Sequence, residues 1–168
     1  MSIKKTILIT FFSFIFTSVN AAEELKSLGK FKDWESFVLL KEGAKTCYAQ
    51  STPVVKAPKK FKRDPSRLFV SFRPDENIKN EVSVTNGYEF KLKSSVTAKS
   101  GKKSFDLFSK GRFAWVIDNE DESKLISTMK KASRLMIIGN SEKGTQTTDH
   151  YSMMGFTKAY STAKKICG

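Results

Sequence analysis

The sequence predicts a mainly-β sandwich with two short helices, one of them C-terminal. Short runs of alternating apolar and polar residues succeed one another between Gly, Asn and Pro turn signals. Only two segments carry apolar residues at helical spacing. A pair of cysteines, Cys47 and Cys167, stands near the two ends of the chain that follows an export leader.

The leader is MSIKKTILITFFSFIFTSVNAA. Lys4 and Lys5 form its basic start, Ile7 to Phe16 its apolar core, and Val19 and Ala21 supply small residues for cleavage after Ala21. The apolar stretch is shorter than the roughly 20 residues of a membrane span, and nothing later in the chain could cross a bilayer. Residues 22–168 then form a single domain, long enough to bury a core of its own. An exported chain meets an oxidising compartment, where an even pair of cysteines reads as one Cys47–Cys167 disulfide. The expected location is the periplasm or the exterior.

Residues 22–30 read as a polar lead-in. Strands are expected at 33–40 and 45–51, with Gly43 in the turn between them. Residues 53–67 break the pattern, because Pro53, Pro58 and Pro65 deny donors to a central strand. Further strands follow at 67–73 and 80–85. Asn86-Gly87 is a tight-turn signal leading into Tyr88, Phe90 and Leu92. Val96 and Ala98 precede a turn at Ser100-Gly101-Lys102. Strands at 103–108 and 112–117 follow, divided by Lys110-Gly111. The run RFAWVI is apolar on both faces, as in a strand buried on two sides.

A helix is expected at about 120–131, with Asn119 as cap and Glu122 as capping-box partner. Its acids lie at the start, and Lys130 and Lys131 at the end, as the helix dipole favours. The acidic run 118–122 needs no metal to explain it. A strand at 134–139, a turn from Asn140 to Gly144 and a strand over 145–153 come next. Thr145, Thr147, Asp149, Tyr151 and Met153 share the inward face of that strand. Gln146, Thr148, His150 and Ser152 point the other way. Gly155 ends it, and Phe156, Ala159, Tyr160 and Ala163 open the second helix, which carries Cys167 at its tail. The expected count of seven to nine strands fits an immunoglobulin-like sandwich.

The net charge is +13, of which two lysines lie in the leader. Such a surface attracts anions. Only Arg63, Arg67, Arg73, Arg112 and Arg134 are arginines, which argues against specific nucleic-acid recognition, a task of bidentate guanidinium groups. The basic peak is the proline-rich segment, where Lys56, Lys59, Lys60, Lys62 and Arg63 make a candidate patch for an anionic partner. The competing reading is a solvated excursion of a lysine-rich chain.

No catalytic constellation, cofactor motif or metal-ligand spacing stands out. His150 is the one histidine, and its neighbour Asp149 points to the opposite face, so nothing orients it as a base. GNSEKGT (139–145) lacks the Gly-Lys-Ser/Thr ending of a phosphate loop and reads as a turn with Gly144 at positive φ.

The segments FKDWE (31–35), TCYAQS (46–51), RPDENIKNEVSVTNGYEF (73–90) and GTQTTDHYSMMGF (144–156), then a helix ending in Cys167, occur in the order of a known family. The chain resembles the invasion-associated locus B proteins, small exported proteins of alphaproteobacteria. The family pattern has threonine where His150 stands. The resemblance implies a β-sandwich of the periplasm or cell surface and no catalytic residues. It marks Gly144, Thr145, Thr147, Asp149, Tyr151, Ser152, Gly155 and Phe156 as the family-pattern strand. Two functional classes follow. One is a non-catalytic binding protein engaging an anionic envelope component or a protein. The other is an envelope enzyme, hydrolase-like, drawing on Asp33, Asp149, Tyr151 and Ser152.

Overall fold

The computed structural model describes residues 23–168. The expected leader and its cleavage point after Ala21 lie outside the described residues. The described chain is mainly β: eleven strands in one antiparallel hydrogen-bonded sheet, with two helices, the second C-terminal. None of its helices is long and apolar enough to cross a membrane.

The strands are β1 (Glu24–Phe31), β2 (Trp34–Lys41), β3 (Ala44–Ser51), β4 (Val55–Ala57), β5 (Arg67–Arg73), β6 (Ile78–Thr85), β7 (Val96–Ser100), β8 (Lys103–Lys110), β9 (Phe113–Trp115), β10 (Arg134–Asn140) and β11 (Gln146–Ser152). Helix α1 spans Asn119–Lys131 and α2 spans Phe156–Cys167. The order across the sheet is β1-β2-β3-β5-β6-β9-β8-β7-β10-β11-β4.

Strand β8 joins the halves. Its first part, Lys103–Leu107, pairs with β7, and its second, Phe108–Lys110, pairs with β9. A strand that changes partner midway turns a corner. The sheet therefore rolls up, and elements from its two ends meet. The indole Nε1 of Trp34 in β2 donates to the Ser152 carbonyl of β11 at 2.8 Å. The Asp33 amide donates to the Met154 carbonyl at 3.3 Å.

Strand alternation sends one face of both halves into a single core, which includes Trp34, Leu68, Val70, Phe72, Leu135, Ile137 and Tyr151. Large side chains of this kind each contribute about 1.5–3 kcal/mol on burial. Helix α2 closes the core with Phe156, Ala159, Tyr160 and Ala163. The Phe156 ring lies 4.8 Å from that of Trp34. Ser36 Oγ donates to the Ala159 carbonyl at 2.7 Å. Cys47 of β3 is bonded to Cys167 at the end of α2, with the Cα atoms 5.7 Å apart.

Several expectations need correction. The polar lead-in is an edge strand, β1, paired with β2 through a bulge at Ser27–Gly29. Part of the proline-rich loop is the short edge strand β4, which pairs with β11 between Pro53 and Pro58. The halves join in one continuous hydrogen-bonded sheet through β8 and β9, and the strands number eleven where seven to nine were expected. Asn86-Gly87 does not reverse the chain. Asn86 is buried, and its Nδ2 donates to Thr147 Oγ1 and Tyr88 Oη. The chain runs on through an open segment touched by one bridge, Phe90 to Ser141. Gly87 has φ +79°, and a Cβ there would meet the Asp64 carbonyl oxygen at 1.9 Å. Its glycine serves close approach rather than a hairpin. Finally, α1 is capped by Asp118, whose Oδ1 accepts from the Glu120 and Asp121 amides. Glu122 turns inward instead of closing a capping box, and its Oε1 accepts the Val82 amide of β6 at 2.8 Å.

Candidate functional site

The basic segment is anchored from beneath. Arg63 reaches inward to meet Asp149 on the buried face of β11, and the side chains are 2% and 0% exposed. Nη1 lies 2.8 Å from Asp149 Oδ2, and Nη2 pairs with Oδ1, so the contact is bidentate. The same Nη1 donates to Ser66 Oγ and to the Asn86 carbonyl at 3.0 and 2.8 Å. Beside it, the Tyr88 and Thr147 hydroxyls are 2.6 Å apart. Burial pushes the Tyr88 phenol up, partly offset by its hydrogen bond to Thr147. Arg63 is thus no part of an exposed basic surface, a correction to the five-residue patch. A buried ion needs a fixed counterion, and the inward face of β11 supplies one. Lys56, Lys59, Lys60 and Lys62 are exposed, and none is ion-paired among the described residues.

The family-pattern strand lies as its alternation predicts. Thr147, Asp149 and Tyr151 are buried, and Ser152 sits on the opposite face. Gly144 has φ +84° in the β10–β11 turn, which Thr145 closes by accepting the Ser141 amide at its carbonyl. Gly155 has φ +93°, and a Cβ there would lie 1.8 Å from the Phe31 carbonyl oxygen. Phe156 then enters the core. The carboxylates and hydroxyls of the enzyme reading are not brought together. Asp149 is spent on Arg63, and the Tyr151 hydroxyl is buried without a partner among the described residues. Burial raises the Tyr151 phenol well above its usual range. Ser152 Oγ accepts the Met154 amide, and Asp33 lies exposed in the β1–β2 turn. His150 pairs across β11 with Met136 and Val55, both outside any acid–base arrangement. The acids of 118–122 divide between capping, the inward Glu122, and pairing of Glu120 and Asp121 with Lys124.

A second surface escaped the sequence reading. The outward face of β3, β5, β6, β9 and the end of β8 forms a groove of about 640 Å³ lined by Tyr48, Phe69, Phe113, Trp115, Ser71, Ser83, Arg73, Glu81 and Lys110. Cross-strand register builds it: Phe69, Ser83, Trp115 and Phe108 stand on one rung, and Phe37, Tyr48, Ser71 and Glu81 on the next. The rings interact along the face. Phe37 stacks on Tyr48 at 5.3 Å, Tyr48 meets Phe69 edge-on at 6.0 Å, and Phe108 meets Trp115 edge-on at 5.5 Å. Phe108 and Phe113 are about half exposed, at 49% and 48%. The two-sided apolarity of RFAWVI was the available signal. Its second face looks into this groove rather than into a second buried layer. The chain matches no family model, no curated protein and no solved structure.

Proposed function

We propose that this chain is an exported, non-catalytic binding protein of the bacterial envelope, related to the invasion-associated locus B proteins. In this reading residues 1–21 are removed, residues 22–168 fold as one immunoglobulin-like sandwich domain, and the product works in the periplasm or at the cell surface. The partner is an anionic envelope component, met by Lys56, Lys59, Lys60 and Lys62. One observation carries the reading: four lysines without acid partners among the described residues stand on a segment whose base is fixed by the buried Arg63–Asp149 pair. A fixed loop presents its charges without first losing conformational freedom, which favours binding.

Replacing Lys56, Lys59, Lys60 and Lys62 by serine leaves the Arg63 anchor intact. Binding to phosphatidylglycerol vesicles or purified lipopolysaccharide should weaken by up to about three orders of magnitude, since each of the four near-surface lysines contributes about 1 kcal/mol. Wild-type binding should also fall steeply with salt, because exposed charges are screened over about 8–10 Å at physiological ionic strength. Unchanged binding in the variant, or none in either protein, would remove the lysine segment as a binding surface.

A further inference from the structure

We infer that the outward groove of β3, β5, β6, β9 and β8 is a glycan subsite that takes a carboxylate-bearing pyranose chain. The inference does not rest on the lysine segment, which belongs to a different part of the chain.

The outer face of an antiparallel sheet normally meets water with polar side chains. Here it carries rings on consecutive strands, two of them about half exposed. Contiguous exposed apolar surface of this kind marks a binding site. Three features define what fits. Tyr48, Phe69, Phe113 and Trp115 supply aromatic rings, whose faces are negative. A pyranose turns a face of weakly positive C–H bonds toward such rings and keeps its hydroxyls at its rim. The walls also carry hydrogen-bonding groups at fixed positions. Arg73 holds Glu81 through two contacts of 2.9 Å each. The Glu81 oxygens keep lone pairs for incoming hydroxyl donors, and Ser71 and Ser83 add two hydroxyls between the rings. Lastly, the charges are unbalanced. Arg73 is already occupied by Glu81 and Glu76. Lys110 stands in the wall in no ion pair among the described residues, which leaves one cation for an acidic group on the ligand.

The same features disfavour a second copy of the chain. Two mature chains, each of charge about +11 without the two leader lysines, repel when like faces approach, and the groove's free cation would then face another cation. A hydrocarbon chain would leave Ser71, Ser83 and the Arg73–Glu81 pair without use.

The test uses the mature, oxidised protein and hexagalacturonate as probe, with neutral maltohexaose as comparison, in buffer of about 0.15 M salt. The chain has two tryptophans, Trp34 buried in the core and Trp115 in the groove. Hexagalacturonate should therefore change tryptophan emission saturably, with maltohexaose binding more weakly. By calorimetry, Trp115→Ala and Phe113→Ser should each weaken binding about tenfold or more, the loss expected on truncating an aromatic anchor. Phe113→Ser changes a half-exposed side chain, so it keeps the test valid should Trp115→Ala fail to fold. The variant lacking the four loop lysines should bind the probe as wild type does. Absence of saturable binding, equal affinity for maltohexaose, or unaltered binding in Phe113→Ser would each overturn the inference. So would loss of binding with the loop lysines, or a dimer in sedimentation that Phe113→Ser abolishes.

Discussion

Arg63 and Asp149 show how far a single residue's role depends on its partner. In the sequence Arg63 is one more cation in a run of lysines, and Asp149 one polar residue among threonines. In the fold they form a buried bidentate pair, 86 residues apart. Removing one member leaves the other charged and without compensation in a dry site. Arg63→Met and Asp149→Asn should each cost about 3–5 kcal/mol in urea unfolding. The double variant Arg63→Met/Asp149→Leu should lose less than either single change, because it leaves no stranded charge. Equal and additive losses would show that the two side chains act separately. The inward facing of Asp149 was legible, because alternation along β11 fixes it. Its partner was not, because charge composition does not say which arginine finds a buried carboxylate.

Among elements, α1 carries a proton-sensitive contact. Glu122 is held against β6 by the Val82 amide, beside a polar cavity of about 370 Å³ lined by Asn77, Lys79, Asn80, Asn119 and Ser123. Burial, with Glu81 nearby, raises its carboxyl to about 7, and the Val82 hydrogen bond only partly opposes this. The ordinary value is 4.5. Between those values the folded chain binds more protons than the unfolded chain, so stability falls as pH rises through that window. Glu122→Gln keeps the acceptor and removes the charge. At about pH 8 it should be more stable than wild type by on the order of 1–3 kcal/mol, allowing for water in the adjoining cavity. The difference should vanish at about pH 4. Chemical denaturation across that range checks it, and parallel profiles would place the titrating group elsewhere. The helix itself was legible from its stripe of Leu125, Ile126 and Met129. The inward turn of Glu122 was not, since a capping box and a tertiary hydrogen bond begin from the same residues. Edge strands β1 and β4 were missed for a related reason. Their side chains are largely exposed, so they leave little hydrophobic alternation to read.

At the scale of the whole molecule, strand identity was legible and sheet continuity was not. Alternation marks a strand, but which strand lies beside it depends on long-range pairing. The groove was lost for that reason: its rings come from strands far apart in sequence and meet only through register. The disulfide, by contrast, was legible from the expected compartment and the cysteine count. It spans 120 residues, for which loop closure in the unfolded chain corresponds to about 4–5 kcal/mol, often less in practice. Cys47→Ser/Cys167→Ser should lose up to that amount. It should also expose α2 first, seen as faster amide exchange over 156–167 than over β5 and β6. Uniform exchange across these elements would mean that the link does not hold α2 in particular. The link, with the Trp34–Ser152 contact, has a temporal side as well. Strands β2 and β3, near the start of the described residues, are covered by α2, and their covalent tie spans 120 residues. A nascent chain emerging from its N-terminus cannot shelter Trp34 as it appears. That part of the core stays uncovered until β11 and α2 have been made.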